Sequence, residues 1–215
     1  SYISIENLLG SNFDDVLTGD GGRNFIRGMR GDDELNGGAG TDTLRGDQGA
    51  DTLNGGTGND WAHYGSSNAG VSVDLTTGIV SGGHAQGDTL SSIENVLGSN
   101  FDDVLAGDGN RNELRGSGGN DMLSGGAGLD YLEGGDGADE IYGGDDADTI
   151  HGGAGDVVDG GAGGNDHDVL DLTGQGGFYL VGPDGTGDPI PDSNGNGIDG
   201  QVIFVDADGE PTGEV

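Results

Sequence analysis

Aspartate residues recur at nine-residue intervals in two long stretches of the chain, and each closely follows several glycines. Their carboxylates are hard oxygen ligands that suit Ca²⁺, and the carbonyl groups of a glycine-rich loop can supply further oxygens. The pattern therefore predicts rows of metal sites. The predicted aspartate ligands are Asp15, Asp33, Asp42, Asp51, Asp60, Asp103, Asp121, Asp130, Asp139, Asp148 and Asp156.

Each aspartate belongs to a nonapeptide, Gly-Gly-x-Gly-x-Asp-x-(aliphatic)-x, which is clearest at residues 125–142. Series of this repeat cover residues 10–63 and 98–151. The aliphatic residue stands between two polar residues, which is the period-two pattern of a half-buried strand. The preceding glycines predict a tight chain reversal, because glycine tolerates positive φ. Two nonapeptides would then form one coil of a solenoid, with alternate repeats stacked on each other.

The composition indicates that such a repeat needs a cation in order to fold. One buried aliphatic side chain and a few strand hydrogen bonds stabilise a repeat by less than the ordering of nine glycine-rich residues costs. The formal net charge of −34, with no lysine in the chain, adds repulsion between coils. We therefore expect folding to be coupled to the binding of divalent cations.

The repeats resemble those of the RTX, or hemolysin-type calcium-binding, family. The resemblance implies an all-β fold, a right-handed parallel β-roll with two sheets of short strands. It also implies roughly six to ten Ca²⁺ ions, each between loops two repeats apart. The implied aspartate pairs are Asp33 with Asp51, Asp42 with Asp60, Asp121 with Asp139, and Asp130 with Asp148. The implied carbonyl ligands belong to Gly37, Gly38, Ala39, Gly40, Gly55, Gly56, Thr57, Gly58, Gly116, Gly118, Gly125, Gly126, Ala127, Gly128, Gly134, Gly135, Asp136, Gly137, Gly143, Gly144, Asp145, Gly152 and Ala154.

Some repeats depart from this pattern near the start of each series. Asn24 and Asn112 replace the aspartate of the second repeat. An amide supplies an oxygen without the charge that dominates calcium affinity, so we expect these sites to be empty or the weakest. The first loops, at residues 10–15 and 98–103, carry Phe13 and Phe101 in place of the glycine at the fourth position of the motif. They are predicted to be caps or weaker sites.

Changes in composition divide the chain into four predicted segments. These are repeat array one at 1–63, an irregular β connector or cap at 64–97, array two at 98–171, and a C-terminal β tail or linker at 172–215. Residues 60–150 are also similar to the calcium-binding R-modules of bacterial mannuronan C5-epimerases. The tail, with strands predicted at 178–181 and 202–205, resembles the segment that precedes a Hint self-processing domain in some secreted bacterial proteins.

The tail contains one more candidate for a metal site. Asp192, Asn194 and Asn196 have the spacing that opens an EF-hand loop, although Ile203 stands where the closing glutamate belongs. Two interpretations stay open, an ion site and a turn built from asparagine and glycine.

A different kind of site is suggested by Arg27, Arg45 and His63, which occupy the ninth position of alternate repeats. If these repeats stack, the three side chains form one outward row with neighbours ~4.8 Å apart. Such a row could hold an anionic polysaccharide, for example a polyuronate, through charged hydrogen bonds. The alternative is that the arginines offset the surrounding acidic charge.

Several function classes are disfavoured. The chain has no cysteine, which excludes disulfides and thiolate chemistry. Its negative charge disfavours nucleic acid and anionic membranes as partners, and no run approaches the ~20 apolar residues of a membrane span. The histidines show no metal or catalytic spacing, so no enzyme active site is expected in this chain.

The resulting hypothesis is an extracellular or cell-surface bacterial calcium-binding β-roll. We expect it to fold on Ca²⁺ after secretion and to act as a scaffold for attached domains of a longer parent protein. The alternative function is that of a polyuronate- or alginate-binding module accessory to an enzyme.

Overall fold

The computed structural model describes residues 5–161 and 167–171, together with four short strands between residues 178 and 204. The described chain is all-β apart from one turn of 3₁₀ helix at Gly83–Ala85. None of the described residues forms a helix long and apolar enough to cross a membrane. The strands are β1 (Asn7–Leu9), β2 (Val16–Thr18), β3 (Phe25–Arg30), β4 (Glu34–Gly40), β5 (Thr43–Gln48), β6 (Thr52–Gly58), β7 (Trp61–His63), β8 (Ser72–Asp74), β9 (Ile79–Ser81), β10 (Thr89–Ser91), β11 (Asn95–Leu97), β12 (Val104–Ala106), β13 (Glu113–Gly118), β14 (Met122–Ala127), β15 (Tyr131–Asp136), β16 (Glu140–Asp145), β17 (Thr149–His151), β18 (Val157–Asp159), β19 (Val169–Asp171), β20 (Phe178–Val181), β21 (Ile190–Pro191), β22 (Ile198–Asp199) and β23 (Gln201–Phe204).

Two sheets of short strands form a parallel β-solenoid of about nine turns, which confirms the predicted fold class. Sheet one has the strand order β1-β3-β5-β7-β11-β13-β15-β17-β19, and sheet two has the order β18-β16-β14-β12-β8-β9-β10-β6-β4-β2. Sheet one is parallel throughout. In sheet two, β9 runs antiparallel to β8 and β10, and the other pairs are parallel.

The register of the strands confirms that two nonapeptides make one coil. Ile26 of β3 pairs with Leu44 of β5, and Leu35 of β4 pairs with Leu53 of β6. Both pairs are separated by eighteen residues, the length of two repeats. Each position of the motif therefore forms a straight row along the solenoid, so that all loop aspartates on one side of the roll lie above one another.

The core is the row of eighth-position aliphatic residues, which both sheets turn toward the interior. Their neighbours in the sequence point outward because strand side chains alternate. The residues of this row that are at most 1% exposed are Ile26, Leu35, Leu44, Leu53, Ala62, Val96, Leu105, Leu114, Leu123, Leu132, Ile141 and Ile150. Leu8 and Leu17, in the first coil, are only partly buried because no described coil lies beyond them.

The connector continues the solenoid from one array into the next. Strand β7 pairs with β11, so Trp61 lies beside Asn95, and β6 pairs with β10. The hairpin β8–β9 is inserted into sheet two at this level, and Val71, Val73 and Val80 fill the core there. The two sheets are thus continuous across both arrays, while the four-segment division remains a prediction.

In the tail, β20 pairs antiparallel with β23, and β21 pairs with β22. The proposed ion site at Asp192, Asn194 and Asn196 lies outside the described residues.

The core row predicts a clear difference between two leucines of one repeat. Leu132 is fully buried, whereas Leu129 is 58% exposed. We expect Leu132→Ala to lower the free energy of unfolding by about 2–5 kcal/mol through lost burial and a cavity. Urea unfolding in saturating calcium measures this loss. Leu129→Ala is the matched control and should change stability by less than ~0.5 kcal/mol. Equal effects of the two substitutions would contradict the assigned core.

Candidate metal centre

The predicted aspartates close the loops that join the two sheets, and each directly precedes a strand. Those that lead into sheet two form edge one: Asp15, Asp33, Asp51, Asp103, Asp121, Asp139 and Asp156. Those that lead into sheet one form edge two: Asp42, Asp60, Asp130 and Asp148. Apart from the half-buried Asp15, all of them are buried. Buried acids are unusual unless they are paired or bind a metal.

Hydrogen bonds join each aspartate to the loop two repeats away. In the four implied pairs, the Oδ1 atom of one aspartate accepts the backbone N–H of its partner in the adjacent coil. The distances from the donor N–H nitrogen to the accepting Oδ1 are 2.9 Å from Asp33 to Asp51, 2.7 Å from Asp42 to Asp60, 2.8 Å from Asp121 to Asp139, and 2.9 Å from Asp130 to Asp148. The four aspartate pairs implied by the resemblance are thus direct neighbours along the two edges.

The second carboxylate oxygen, Oδ2, has no such partner in most of these loops. The buried Oδ2 atoms without a hydrogen bond within the described part of the chain include those of Asp33, Asp42, Asp51, Asp60, Asp121, Asp130 and Asp139. A buried charged oxygen without a partner destabilises the fold. Its repetition at equivalent positions indicates that a cation satisfies these oxygens.

Backbone carbonyls approach the same oxygens at the first glycine of the loop. A side-chain carbon added to Gly37 would lie 2.5 Å from Asp42 Oδ2 and 2.5 Å from the carbonyl oxygen of Gly55. The carbonyl oxygen of Gly143 lies 2.6 Å from the corresponding point at Gly125. Glycine is needed here because only hydrogen fits between the two oxygens. An aspartate oxygen and a carbonyl from the next coil therefore converge in each of these loops.

The donor set identifies the kind of metal. Within the described residues, no group of three or more His, Cys, Asp or Glu side chains converges on one point. A site built here must combine two carboxylates with several carbonyl oxygens. Ca²⁺ accepts six to eight oxygens in flexible geometry, whereas Mg²⁺ demands a near-ideal octahedron and Zn²⁺ favours nitrogen and sulfur. The loops therefore fit calcium.

The electrostatics of the loops also favour the binding of a cation. Burial raises the pKa of Asp121 from its ordinary 3.8 to about 7, and those of Asp51, Asp130 and Asp139 to about 6. Backbone N–H donors oppose this rise, while the negative charge of the adjacent Asp103 adds to it at Asp121. Without a metal, the fold thus disfavours the ionised carboxylates that it stacks.

Three further acidic residues extend the two edges. Asp88 and Asp168 do not follow the nine-residue period, whereas Glu94 lies nine residues before Asp103 and has glutamate in place of aspartate. Their contacts are Asp88 Oδ1 with the N–H of Asp51 at 2.8 Å, Glu94 Oε2 with the N–H of Asp60 at 2.8 Å, and Asp168 Oδ1 with the N–H of Asp148 at 2.9 Å. Asp88 Oδ2 also accepts the hydroxyl of Tyr64 at 3.2 Å. The sequence contains a local sign of these three residues. Each is followed two positions later by an aliphatic residue, as in the motif, and Leu90 follows Asp88 in this way.

The two asparagines are bonded differently from the aspartates. Asn24 Nδ2 donates to the carbonyl of Ile5 at 2.8 Å, and Asn112 Nδ2 donates to the carbonyl of Glu94 at 2.8 Å. Their Oδ1 atoms accept backbone N–H groups of their own loops. An uncharged amide thus joins two coils where aspartates leave Oδ2 unpartnered. This geometry fits the expectation that these sites are empty or weakest, which stays a prediction.

The first loop of each array also satisfies its aspartate internally. The N–H of Ser11 donates to Asp15 Oδ2 at 2.6 Å, and that of Ser99 donates to Asp103 Oδ2 at 2.5 Å. At the far end of array two, the N–H of Gly153 donates to Asp156 Oδ2 with a distance of 2.5 Å. The aspartates of these loops are therefore less dependent on a cation than those in the middle of each array.

The candidate saccharide row lies on the outer face of sheet one. Arg27 pairs in register with Arg45, and His63 follows in the next strand. The Nε atoms of both arginines donate to Asp47, that of Arg45 at 2.6 Å. Burial and the charge of Arg45 lower the pKa of His63. The assignment of this row to saccharide binding remains a prediction.

Comparison with known proteins agrees with this geometry. The family model described as RTX calcium-binding nonapeptide repeat (4 copies) matches residues 9–44, 36–68, 97–132, 124–159 and 133–174, which together are more than half of the chain. No protein of curated function matches the chain. Nothing in these findings supports the resemblance to mannuronan C5-epimerase R-modules or to the segment before a Hint domain.

The raised pKa values predict how the metal-free chain responds to acid. Their folded values of about 6 to 7 exceed the ordinary 3.8, so between these limits the folded chain binds more protons than the unfolded chain. In chelator, stability should therefore fall as the pH rises through this window and should recover on acidification. Circular dichroism from pH ~7.5 down to ~5 measures this. A strand signal that declines on acidification would contradict it.

The side-chain hydrogen bonds of Asn112 predict that a carboxylate at this position lowers the stability of the metal-free chain and raises the affinity of the loop for calcium. Asn112→Asp removes the Nδ2 donor and places two oxygens face to face. We expect the metal-free chain to be destabilised by about 1–3 kcal/mol, while the loop gains affinity for calcium. Residual structure in chelator and calcium titrations measure the two effects. Asn68→Asp, an exposed change of the same charge in the connector, is the control. If both variants behave alike, Asn112 has no special role.

Proposed function

The chain belongs to the RTX calcium-binding nonapeptide repeat family, and from this premise we propose that it is a calcium-folded scaffold of a secreted bacterial protein. Its activity is to bind Ca²⁺ and, by doing so, to become a rigid roll that holds attached domains. The observation that carries this proposal is the stack of buried aspartates whose Oδ2 atoms have no partner within the described residues.

We assign the ions to the gaps between loops two repeats apart. The paired aspartates are Asp33 with Asp51, Asp42 with Asp60, Asp121 with Asp139, and Asp130 with Asp148, and the carbonyls of the intervening glycine loops complete each site. Bound Ca²⁺ supplies positive charge that neutralises the two carboxylates facing each other across adjacent coils. Roughly six to ten such sites follow from pairing the loops of this motif.

The aspartates hold the coils in register whether or not they also ligate. Each Oδ1 fixes the N–H of the coil beside it, which leaves Oδ2 aimed at the carbonyls of the same gap. Rotation of the carboxylate is thus restricted, and the ligand oxygens are oriented before the ion arrives. Binding free energy is then not spent on arranging side chains but contributes to folding.

This coupling suits export. Extracellular calcium modules bind at ~10⁻⁴–10⁻³ M, far above cytosolic calcium. Stacked carboxylates without the ion would keep the chain open inside the cell, and it would fold once outside. We propose this as the reason why the repeats depend on the metal instead of a large apolar core.

We assign no catalytic role to the described residues. RTX rolls are typically non-catalytic modules, and the buried acids of both edges already have structural partners in adjacent coils. A reaction carried out by the parent protein would belong to an attached domain.

A second candidate function is the binding of an acidic polysaccharide on the outer face of sheet one. The guanidinium of Arg115 lies 5.8 Å from the ring centroid of Trp61 and 5.6 Å from that of Tyr131. Arg27 and Arg45 lie further along the same face. Aromatic rings and guanidinium groups side by side are suited to sugar faces and carboxylates. Binding of oligoalginate to the calcium-loaded chain tests this candidate, and no binding leaves the scaffold function alone.

The ligand assignment predicts that one aspartate serves two sites. Asp130 Oδ1 accepts the N–H of Asn112, and its own N–H donates to Asp148, so it faces both neighbouring coils. We expect Asp130→Ala to weaken binding in the gaps on both sides and to raise the calcium concentration needed for folding by tenfold or more. Native mass spectrometry counts the ions, and circular dichroism gives the midpoint.

The matched control is Glu140→Ala, which removes an exposed carboxylate from the neighbouring strand β16 without touching a metal loop. Its ion count should equal that of the parent chain. An unchanged count in Asp130→Ala would overturn the assignment of this edge.

A further inference from the structure

A pocket of about 210 Å³ opens beside edge one, where array one meets the connector. Arg27, Arg30 and Arg45 contribute to its lining from array one, and Ser66 and His84 contribute from the connector. Half of the six basic Lys and Arg residues of the chain thus gather around one opening, in a protein of net charge −34. Scattered arginines would offset the acidic charge more effectively, so this concentration needs another explanation.

Asp47 holds two of these arginines in place. Its Oδ1 accepts the Nε–H of Arg45 at 2.6 Å and the hydroxyl of Ser66 at 2.7 Å, and its Oδ2 accepts the Nε–H of Arg27. Burial alone would raise the pKa of Asp47, but these three donors together lower it. Because each guanidinium uses Nε for Asp47, its two terminal nitrogens remain available as donors.

Asp47 has the left-handed backbone that the second position of the loop adopts along the roll, as at Gly38 and Ser117. Asp47 occupies the second position of the loop, where the motif has glycine, and its φ is 71°. Met29, at the same position one coil away, also lines the pocket and has φ 92°. Left-handed backbone costs about 1–2 kcal/mol for a residue with a side chain, and such strain concentrates at functional sites. Glycine would relieve it but would supply no carboxylate.

Other residues around the opening carry hydrogen-bond donors, namely Arg30 and the side-chain amides of Asn12 and Gln48. The Nδ1 atom of His84 is buried and has no hydrogen-bond partner in the described part of the chain. Of the described residues that line the pocket, Asp47 alone is acidic, and both of its oxygens are engaged. The pocket thus offers positive charge and hydrogen-bond donors without a free carboxylate.

We propose that this pocket binds an oxyanion, a carboxylate or sulfate group, between Arg27 and Arg45, and that Asp47 is the positioning residue for both guanidinium groups. This goes beyond calcium binding and requires only that the roll be folded. The paired guanidinium forks match the geometry of such a group. The same chemistry could come from a free anion or from the carboxylate of an acidic sugar, and the experiment distinguishes them.

The test follows the Arg Nε–Hε NMR signals of the calcium-loaded full chain during titration. The probes are sodium sulfate and sodium galacturonate at constant ionic strength set with chloride, with galactose as the neutral control. We expect saturable shifts of the Arg27 and Arg45 signals with dissociation constants near the millimolar range. Arg45→Gln should weaken binding about tenfold through the loss of a charged hydrogen bond. Arg111→Gln, an exposed arginine of array two, is the matched control and should bind as the parent chain does.

Asp47→Gly separates positioning from simple charge. It removes a negative charge and the strained side chain, so an effect of charge alone would tighten sulfate binding. A positioning role predicts weaker binding, since both guanidiniums lose their anchor. Arg45→Lys, which keeps the charge without the fork, should weaken binding as well. Circular dichroism in calcium shows for each variant that the roll is folded, so a failure of calcium-coupled folding is recognised independently.

Each outcome decides the matter. Saturable binding of sulfate alone supports a site for free oxyanions, and equal or tighter binding of galacturonate supports the carboxylate of a sugar. Absence of saturable shifts, or equal weakening by Arg45→Gln and Arg111→Gln, overturns the site. Tighter binding by Asp47→Gly overturns the role given to Asp47.

Discussion

The constraint on which the whole structure depends is the stacking of buried carboxylates between adjacent coils. In the paired loops one carboxylate oxygen binds the backbone of the adjacent coil, and the other oxygen of Asp33, Asp51, Asp121 and Asp139 has no donor within the described part of the chain. Glycines surround these oxygens because a side-chain carbon would occupy the gap. The aliphatic core is one residue wide in each repeat, so it cannot offset this electrostatic cost by itself. In the function that we propose, a bound cation would neutralise these carboxylates and link adjacent coils.

The gaps between coils are closed in two ways. In the middle of the arrays, carboxylate and carbonyl oxygens converge and form a ligand set that suits calcium. At the array starts, Ser11, Ser99, Asn24 and Asn112 supply hydrogen-bond donors to the same places. In the connector, Tyr64 does so for Asp88. We therefore expect dependence on the ion to be graded along the roll and to be weakest at the array starts and in the connector.

The sequence predicts most of this fold because its period is the period of the solenoid. The nine-residue spacing predicts the strand register, the buried aliphatic row and the aspartate edges. Asp88 could not be found in this way, since the irregular connector displaces it from the period and only tertiary packing places it on the edge. Glu94 is in phase with Asp103, but it is a glutamate where the motif has aspartate. The same holds for Asp47, whose partner Ser66 comes from the connector. The tail hypothesis at Asp192 lies outside the described residues, and the R-module and Hint resemblances gained no support.

The most direct test of calcium-coupled folding is a calcium titration of the full chain, followed by far-ultraviolet circular dichroism from a chelated start. We expect a coil spectrum in chelator and a cooperative change to a strand spectrum as calcium rises to ~10⁻⁴–10⁻³ M, reversed when chelator is added again. A strand spectrum already complete in chelator and unchanged by calcium would contradict the central claim, because the stacked carboxylates would then be stable without a cation.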